Sequence, residues 1–204
     1  MHRSMQRAGT GAAIAVMIAL VTPSTASGGT PQTLVVVSDT SGTWVNHFQT
    51  ASGSAVLTYG NIGCNDVDAH GFCTGGRWSL LPGAHWVWNH RNVSPDHALN
   101  GVRPLDFTWT FTLPDGATNV SGKLRITVDN AYRVFLNGVA VGHDGQLDRK
   151  GTDGGWATID RYAIQPIPGA NTITVRAVNY RSSVTDPYQN PAGILFRADI
   201  SYEE

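Results

Sequence analysis

Glutamate and lysine are almost missing from this chain of 204 residues: no Glu precedes Glu203, and the only lysines are Lys123 and Lys150. Without glutamate, neither an HExxH metalloprotease helix nor a glutamate pair of the glycosidase type can be built. No GxSxG elbow occurs, no GxGxxG follows a strand-like run, and no CxxC pair is present. Charged residues make up 14% of the chain and the formal net charge is −1, which excludes a protein that holds nucleic acid mainly through charge. With 41% hydrophobic residues the chain is too apolar for a disordered tail. Straight-chain helix formers are few, whereas Thr, Val, Gly, Asn and aromatics abound, a balance that favours strands and turns.

The N-terminal 26 residues read as a secretory signal. Arg3 and Arg7 form the basic region, Ala12 to Val21 the apolar stretch, and Ser24-Thr25-Ala26 the small residues for cleavage near Ala26. That stretch falls short of the roughly 20 residues of a spanning helix, and no later segment approaches it, so no membrane span is expected. Export to an oxidising compartment makes Cys64 and Cys73 an expected disulfide, closing a short polar loop at roughly 2–3 kcal/mol on the chain-entropy model. Residues 27–32 read as a flexible lead-in, and 33–204 as one domain with no repeat or charge block to divide it.

Period-2 alternation dominates that domain. In LDFTWTFTL, Leu105, Phe107, Trp109, Phe111 and Leu113 point one way and Asp106, Thr108, Thr110 and Thr112 the other, and Pro114-Asp115-Gly116 ends the strand. KLRITVD repeats the phase with Leu124, Ile126 and Val128 inward. YRVFLNGVAV carries Asn137-Gly138 between two apolar runs, a strong hairpin signal because both residues tolerate positive φ. TITVRAV follows a Pro168-Gly169-Ala170-Asn171 turn, and ILFRADI alternates again. TLVVVSD, TWVNHF, AVLTYG and WATIDRYAI supply further expected strands. No stretch shows a 3.6-residue period. The reading is an all-β sandwich or barrel.

From Trp86 onward the order of motifs is specific: Trp86-Val87-Trp88, the TFTLP strand, RITVDNAYRVFLNGVAVG with Asp129-Asn130, Trp156, PGANTITVRAVN, and PAGILFRADI. This order resembles galactose-binding-like jelly-roll domains, above all the accessory sugar-binding modules of secreted bacterial glycoside hydrolases. The resemblance covers about residues 84–202 and leaves 33–83 as an N-terminal embellishment or edge strands. It implies a jelly-roll β-sandwich that binds ligands through loops at one end, and a glycan or cell-surface polysaccharide as partner.

Sugars present a C–H face that packs on aromatic rings and hydroxyls that require fixed polar partners. Loop residues with that chemistry are His143, Asp144, Arg149, Trp156, Tyr180, Arg181, Tyr188 and Asn190. Tyr180 and Tyr188 are the expected stacking platforms, Trp156 serves equally as lid or core, Trp109 reads as core, and Trp86 and Trp88 are expected to share one face. Asp144, Asp148 and Asp153 in one glycine-rich loop are weak ligand candidates for a structural calcium ion, outside any EF-hand spacing; no other cofactor is expected. His85 and His90, five apart on a strand, lie on opposite faces and suit a surface better than a metal. Asp39-Thr40-Ser41-Gly42 carries one residue too many for an aspartic-protease turn. The sequons at Asn92 and Asn119 carry little weight in a chain of bacterial character. The expected function is non-catalytic carbohydrate recognition. A structural or adhesive envelope protein is the alternative, and a hydrolase with an Asp-based site the third.

Overall fold

The computed structural model describes residues 28–58, 78–91, 104–148, 155–180 and 192–204. Twelve strands run β1 Pro31–Val37, β2 Thr43–Asn46, β3 Ser52–Ser54, β4 Val56–Leu57, β5 Val87–Trp88, β6 Leu105–Leu113, β7 Thr118–Asp129, β8 Ala131–Leu136, β9 Val139–Asp144, β10 Asp160–Ile164, β11 Gly169–Val178 and β12 Gly193–Glu203. A 3₁₀ turn, Gly155–Ala157, precedes β10. The first sheet has the order β10-β7-β12-β5-β4, with β1 also paired to β12; the second runs β3-β2-β6-β11-β8-β9. All pairings are antiparallel, and from β6 onward the chain passes repeatedly between the sheets, the connectivity of a jelly-roll sandwich.

The strands form where the alternation demands. β6 occupies the nine alternating residues, with Leu105, Phe107, Trp109 and Leu113 buried against Ile173, Val175 and Ala177 of β11 on one sheet and Ile126, Val128, Ile194 and Phe196 on the other. Each fully buried Phe, Ile or Leu contributes roughly 1.5–3 kcal/mol of transfer free energy. The β8–β9 hairpin turns through Asn137 (φ 51°) and Gly138 (φ 78°), the two positive values that a type I′ turn requires. Asn137 is held further: its Oδ1 accepts from the Thr172 amide (2.8 Å), and its Nδ2 donates to Asn171 Oδ1 (2.9 Å). Asn171, buried in the Pro-Gly-Ala-Asn turn, donates in turn to the carbonyls of Ile167 (2.7 Å) and Gly169 (3.0 Å).

Two expectations need correction. The strand begins at Pro31, inside the expected lead-in, because β1 pairs with β12 from Pro31–Glu203 to Val37–Arg197. Of the two readings of residues 33–83, the described parts follow that of edge strands: β2 and β3 extend the second sheet beyond β6, and β4 lies beside β5 at the end of the first. Trp86 and Trp88 do not share a face. Trp88 joins the main core against Phe107, with ring centroids 5.0 Å apart, whereas Trp86 packs with Trp78, Leu81 and Leu195 on the outer side of the first sheet. Only Val87 and Trp88 belong to β5, so strand alternation does not extend back to Trp86, whose indole N–H donates to the Ser79 carbonyl (2.9 Å). Cys64 and Cys73, like the secretory signal, lie outside the described residues.

Two tyrosines close one side of the sandwich. The Tyr132 hydroxyl of β8 donates to Asp160 of β10 (2.6 Å) and lies 3.0 Å from the Tyr162 hydroxyl, which donates to the His143 carbonyl of β9 (3.1 Å). The Tyr162 ring covers Gly142, where any Cβ would strike it. The core is equally tight at Gly42, against the Trp109 indole. Gly42→Ala is therefore expected to lower unfolding stability by about 1–3 kcal/mol in chemical denaturation, with the strand content by circular dichroism unchanged.

Candidate functional site

Strand register assembles a polar row across the outer face of the second sheet. His143 of β9 lies opposite Arg133 of β8, Arg133 opposite Arg176 of β11, and Arg176 opposite Asp106 of β6. Three inter-strand spacings give this row a length of about 14 Å. Arg176 is pinned by two hydrogen bonds to Asp106, at 2.7 and 2.8 Å, which hold its pKa above the ordinary arginine value. Its guanidinium carbon also lies 5.9 Å from the centroid of Phe135. A guanidinium carries five N–H groups, so the fork to Asp106 leaves others to face outward.

The row is the floor of an open cleft of about 670 Å³. One wall is the segment after β9, with Gly145, Gln146, Leu147 and Asp148; His47 and Pro104 line the opposite side. Phe48, 57% exposed, meets His47 edge-on with ring centroids 5.3 Å apart. The cleft thus combines cationic donors, an amide and a carboxylate, with an exposed ring beside it. Sugar hydroxyls paired across donors and acceptors match that set.

A buried corner holds the wall in place. The Tyr180 hydroxyl donates to the Gln146 carbonyl (2.7 Å) and accepts from its amide (3.2 Å), while the Tyr180 amide donates to Asn130 Oδ1 (2.7 Å). Asn130 reaches back through its Nδ2 to Asp129 Oδ1 (2.5 Å), and its own amide donates to the Val178 carbonyl (3.0 Å). Burial raises the Asp129 carboxyl to a pKa of about 8, since the desolvated anion is disfavoured.

The structure distributes the sequence-derived candidates unevenly. His143 and Asp148 line the cleft. Asp144, the next residue after His143, lies opposite Tyr132, with its carboxylate beside Gly155. Tyr180 is 4% exposed and offers no stacking face; the expectation of a platform is corrected to that of a buried positioning residue under Gln146. Trp156 is half-buried on the other sheet, stacked on Trp78 at 6.3 Å, away from this cleft. Arg149, Asp153, Arg181, Tyr188 and Asn190 lie outside the described residues. Among the described residues no three His, Cys, Asp or Glu side chains gather to hold a metal ion. Sequence reasoning missed His47, Phe48, Arg133, Gln146 and Arg176. The available signal was an arginine at an outward position in each of two strands (YRVFLNG and TITVRAV), but their pairing is non-local.

No family model matches the chain, and no significant match exists among curated proteins. Solved structures are similar only at low identity. A family 35 carbohydrate binding module from Clostridium thermocellum is 14% identical, with 82% of this chain and 97% of that one covered and a TM-score of 0.37. The CBM35 from Paenibacillus barcinonensis is 10% identical over 81% of this chain and 97% of that one, with a TM-score of 0.36. A beta-glucuronidase from Faecalibacterium prausnitzii is 15% identical at a TM-score of 0.40, with 90% of this chain but only 33% of that enzyme covered. Carbohydrate-binding modules and glycoside hydrolases are the company named by the sequence resemblance. At these TM-scores the sandwich assignment rests on the chain's own strand order.

Two outcomes follow from the buried corner. Asp129 has a folded-state pKa above its unfolded value near 4, so the stability it contributes is full below pH 4 and declines as pH rises towards 8. Asp129→Asn should flatten that decline in urea denaturation measured between pH 4 and 8, so that the variant gains on the wild type as pH rises. Tyr180→Phe should cost about 1–3 kcal/mol in the same assay and speed hydrogen exchange at the Gln146 amide, because two bonds to that backbone are lost.

Proposed function

We propose that the chain is a secreted, non-catalytic carbohydrate-binding module whose ligand lies across the outer face of the second sheet. The observation that carries this reading is the cleft of about 670 Å³ in which Arg133, Arg176, His143, Gln146 and Asp148 converge. Its floor residues stand on paired strands, and such a floor is formed before a ligand arrives. The open form suits a chain-like or surface-bound glycan rather than a small molecule enclosed on all sides. The secretory pattern of residues 1–26 supports action on a cell surface or in a matrix.

Affinity electrophoresis and calorimetry on neutral polysaccharides test the reading. Retention of the wild type, with at least tenfold weaker binding by Arg133→Ala and an unchanged circular dichroism spectrum, is the expected result. Absence of binding to every glycan at millimolar concentration would sink it, and concentration-dependent self-assembly without sugar sensitivity would replace it with the adhesive role. Turnover of chromogenic glycosides or esters, abolished by one Asp→Asn change, would replace it with the hydrolase.

A further inference from the structure

The outer face of the first sheet carries a second row. Arg161 of β10 lies opposite Arg125 of β7, and Arg125 opposite Arg197 of β12. In the adjacent row Ala163, Lys123 and Asp199 occupy the same three strands. Apart from Arg91, Arg133 and Arg176, every lysine or arginine among the described residues stands on this face. Like charges placed directly opposite each other destabilise a sheet, so the fold alone does not account for three arginines in line.

One of these four positive charges is neutralised from within. Asp199 bridges Arg125 and Arg197, with its two oxygens 2.7 Å from a nitrogen of each, and the guanidiniums hold its pKa below the usual carboxylate value. Asp199 stands two residues beyond Arg197 and opposite Lys123. The symmetric position on β10, two residues beyond Arg161 and also opposite Lys123, is Ala163. Thus Arg161, Arg125 and Lys123 repeat the register that holds a carboxylate on the β12 side, with a methyl group where the second carboxylate would stand; the Arg161 guanidinium meanwhile donates to the Ile159 carbonyl (3.3 Å) and would turn towards a bound acid. A cleft of about 540 Å³ lies over these residues, lined also by Tyr162 and Asp199.

We propose that this face is a second binding site, which takes a carboxylate of an acidic polysaccharide between Arg161, Arg125 and Lys123. The proposal rests on the carbohydrate-binding reading above and adds to it a separate surface and a charged ligand class. Asp199 is the internal template: its carboxylate shows how two guanidiniums on neighbouring strands grip one acid. A grid of three strands by two rows is far smaller than the roughly 800 Å² per partner that a folded protein needs, which favours a linear polymer. The row beyond the arginines favours sugar over an acidic peptide. There Trp78 and Trp86 are buried over Leu195, and the half-buried Trp156 packed against them is the ring of this border that a sugar face can reach.

Affinity electrophoresis in gels containing polygalacturonate, its fully methyl-esterified form or poly-L-glutamate tests this. Polygalacturonate should retard the wild type in a salt-sensitive manner, and the methyl ester should not. Arg161→Ala and Lys123→Ala should each weaken retardation roughly tenfold or more. Ala163→Asp supplies the second carboxylate from the chain itself; it should abolish retardation while raising the thermal midpoint, a combination that misfolding cannot produce. Equal retardation by poly-L-glutamate would overturn the polysaccharide assignment in favour of an acidic peptide. Retention of neutral glycans without polygalacturonate binding would overturn this site alone, and loss of both would overturn the general reading with it.

Discussion

Burial of one face of every long strand is the constraint from which the rest of the molecule follows. Phe107 and Trp109 on β6, Ile126 and Val128 on β7, and Ile194 and Phe196 on β12 are buried in a common core, so none of these strands can slip by one residue without exposing its apolar set. With inward residues fixed, outward residues are fixed as well. Cross-strand rows such as His143–Arg133–Arg176–Asp106 and Arg161–Arg125–Arg197 are by-products of core packing that position charge to within a fraction of a strand spacing. The two rows treat charge differently: on one sheet Asp106 takes a bidentate grip on a single arginine, and on the other Asp199 is shared between two.

Buried polar groups do the remaining positioning. Asn130 joins the end of β7 to Tyr180, and Tyr180 joins that corner to Gln146 in the cleft wall. Thr127 extends the same region by donating to the Gly155 carbonyl (2.6 Å), which anchors the 3₁₀ turn that presents Trp156. Loops at this end of the sandwich are thus tied to the sheets by side-chain hydrogen bonds where strand pairing ends.

Much of the scaffold was legible in advance because its signals are local. The nine alternating residues of β6, the Asn137-Gly138 hairpin and the Pro-Gly-Ala-Asn turn each reflect conformational preferences within a few residues. The candidate site was less legible because its logic is long-range. Tyr180 sits in a polar stretch and reads as exposed; its burial depends on Asn130 and Gln146, far from it in the chain. Likewise β4 and β5, of two residues each, are too short to express a period, and that length left Trp86 outside the alternation assumed for it. The arginines are visible one at a time, but their lines depend on which strands become neighbours.

The mounting of Arg133 and Arg176 on adjacent paired strands also bears on the thermodynamics of any partner that settles there. Side chains carried by a hydrogen-bonded ladder, one of them already clamped by Asp106, have little backbone freedom left to lose. Complex formation on such a surface costs the protein little conformational entropy, so that cost falls mainly on the incoming partner. Affinity among related ligands then varies chiefly through their residence times rather than through the speed with which they arrive.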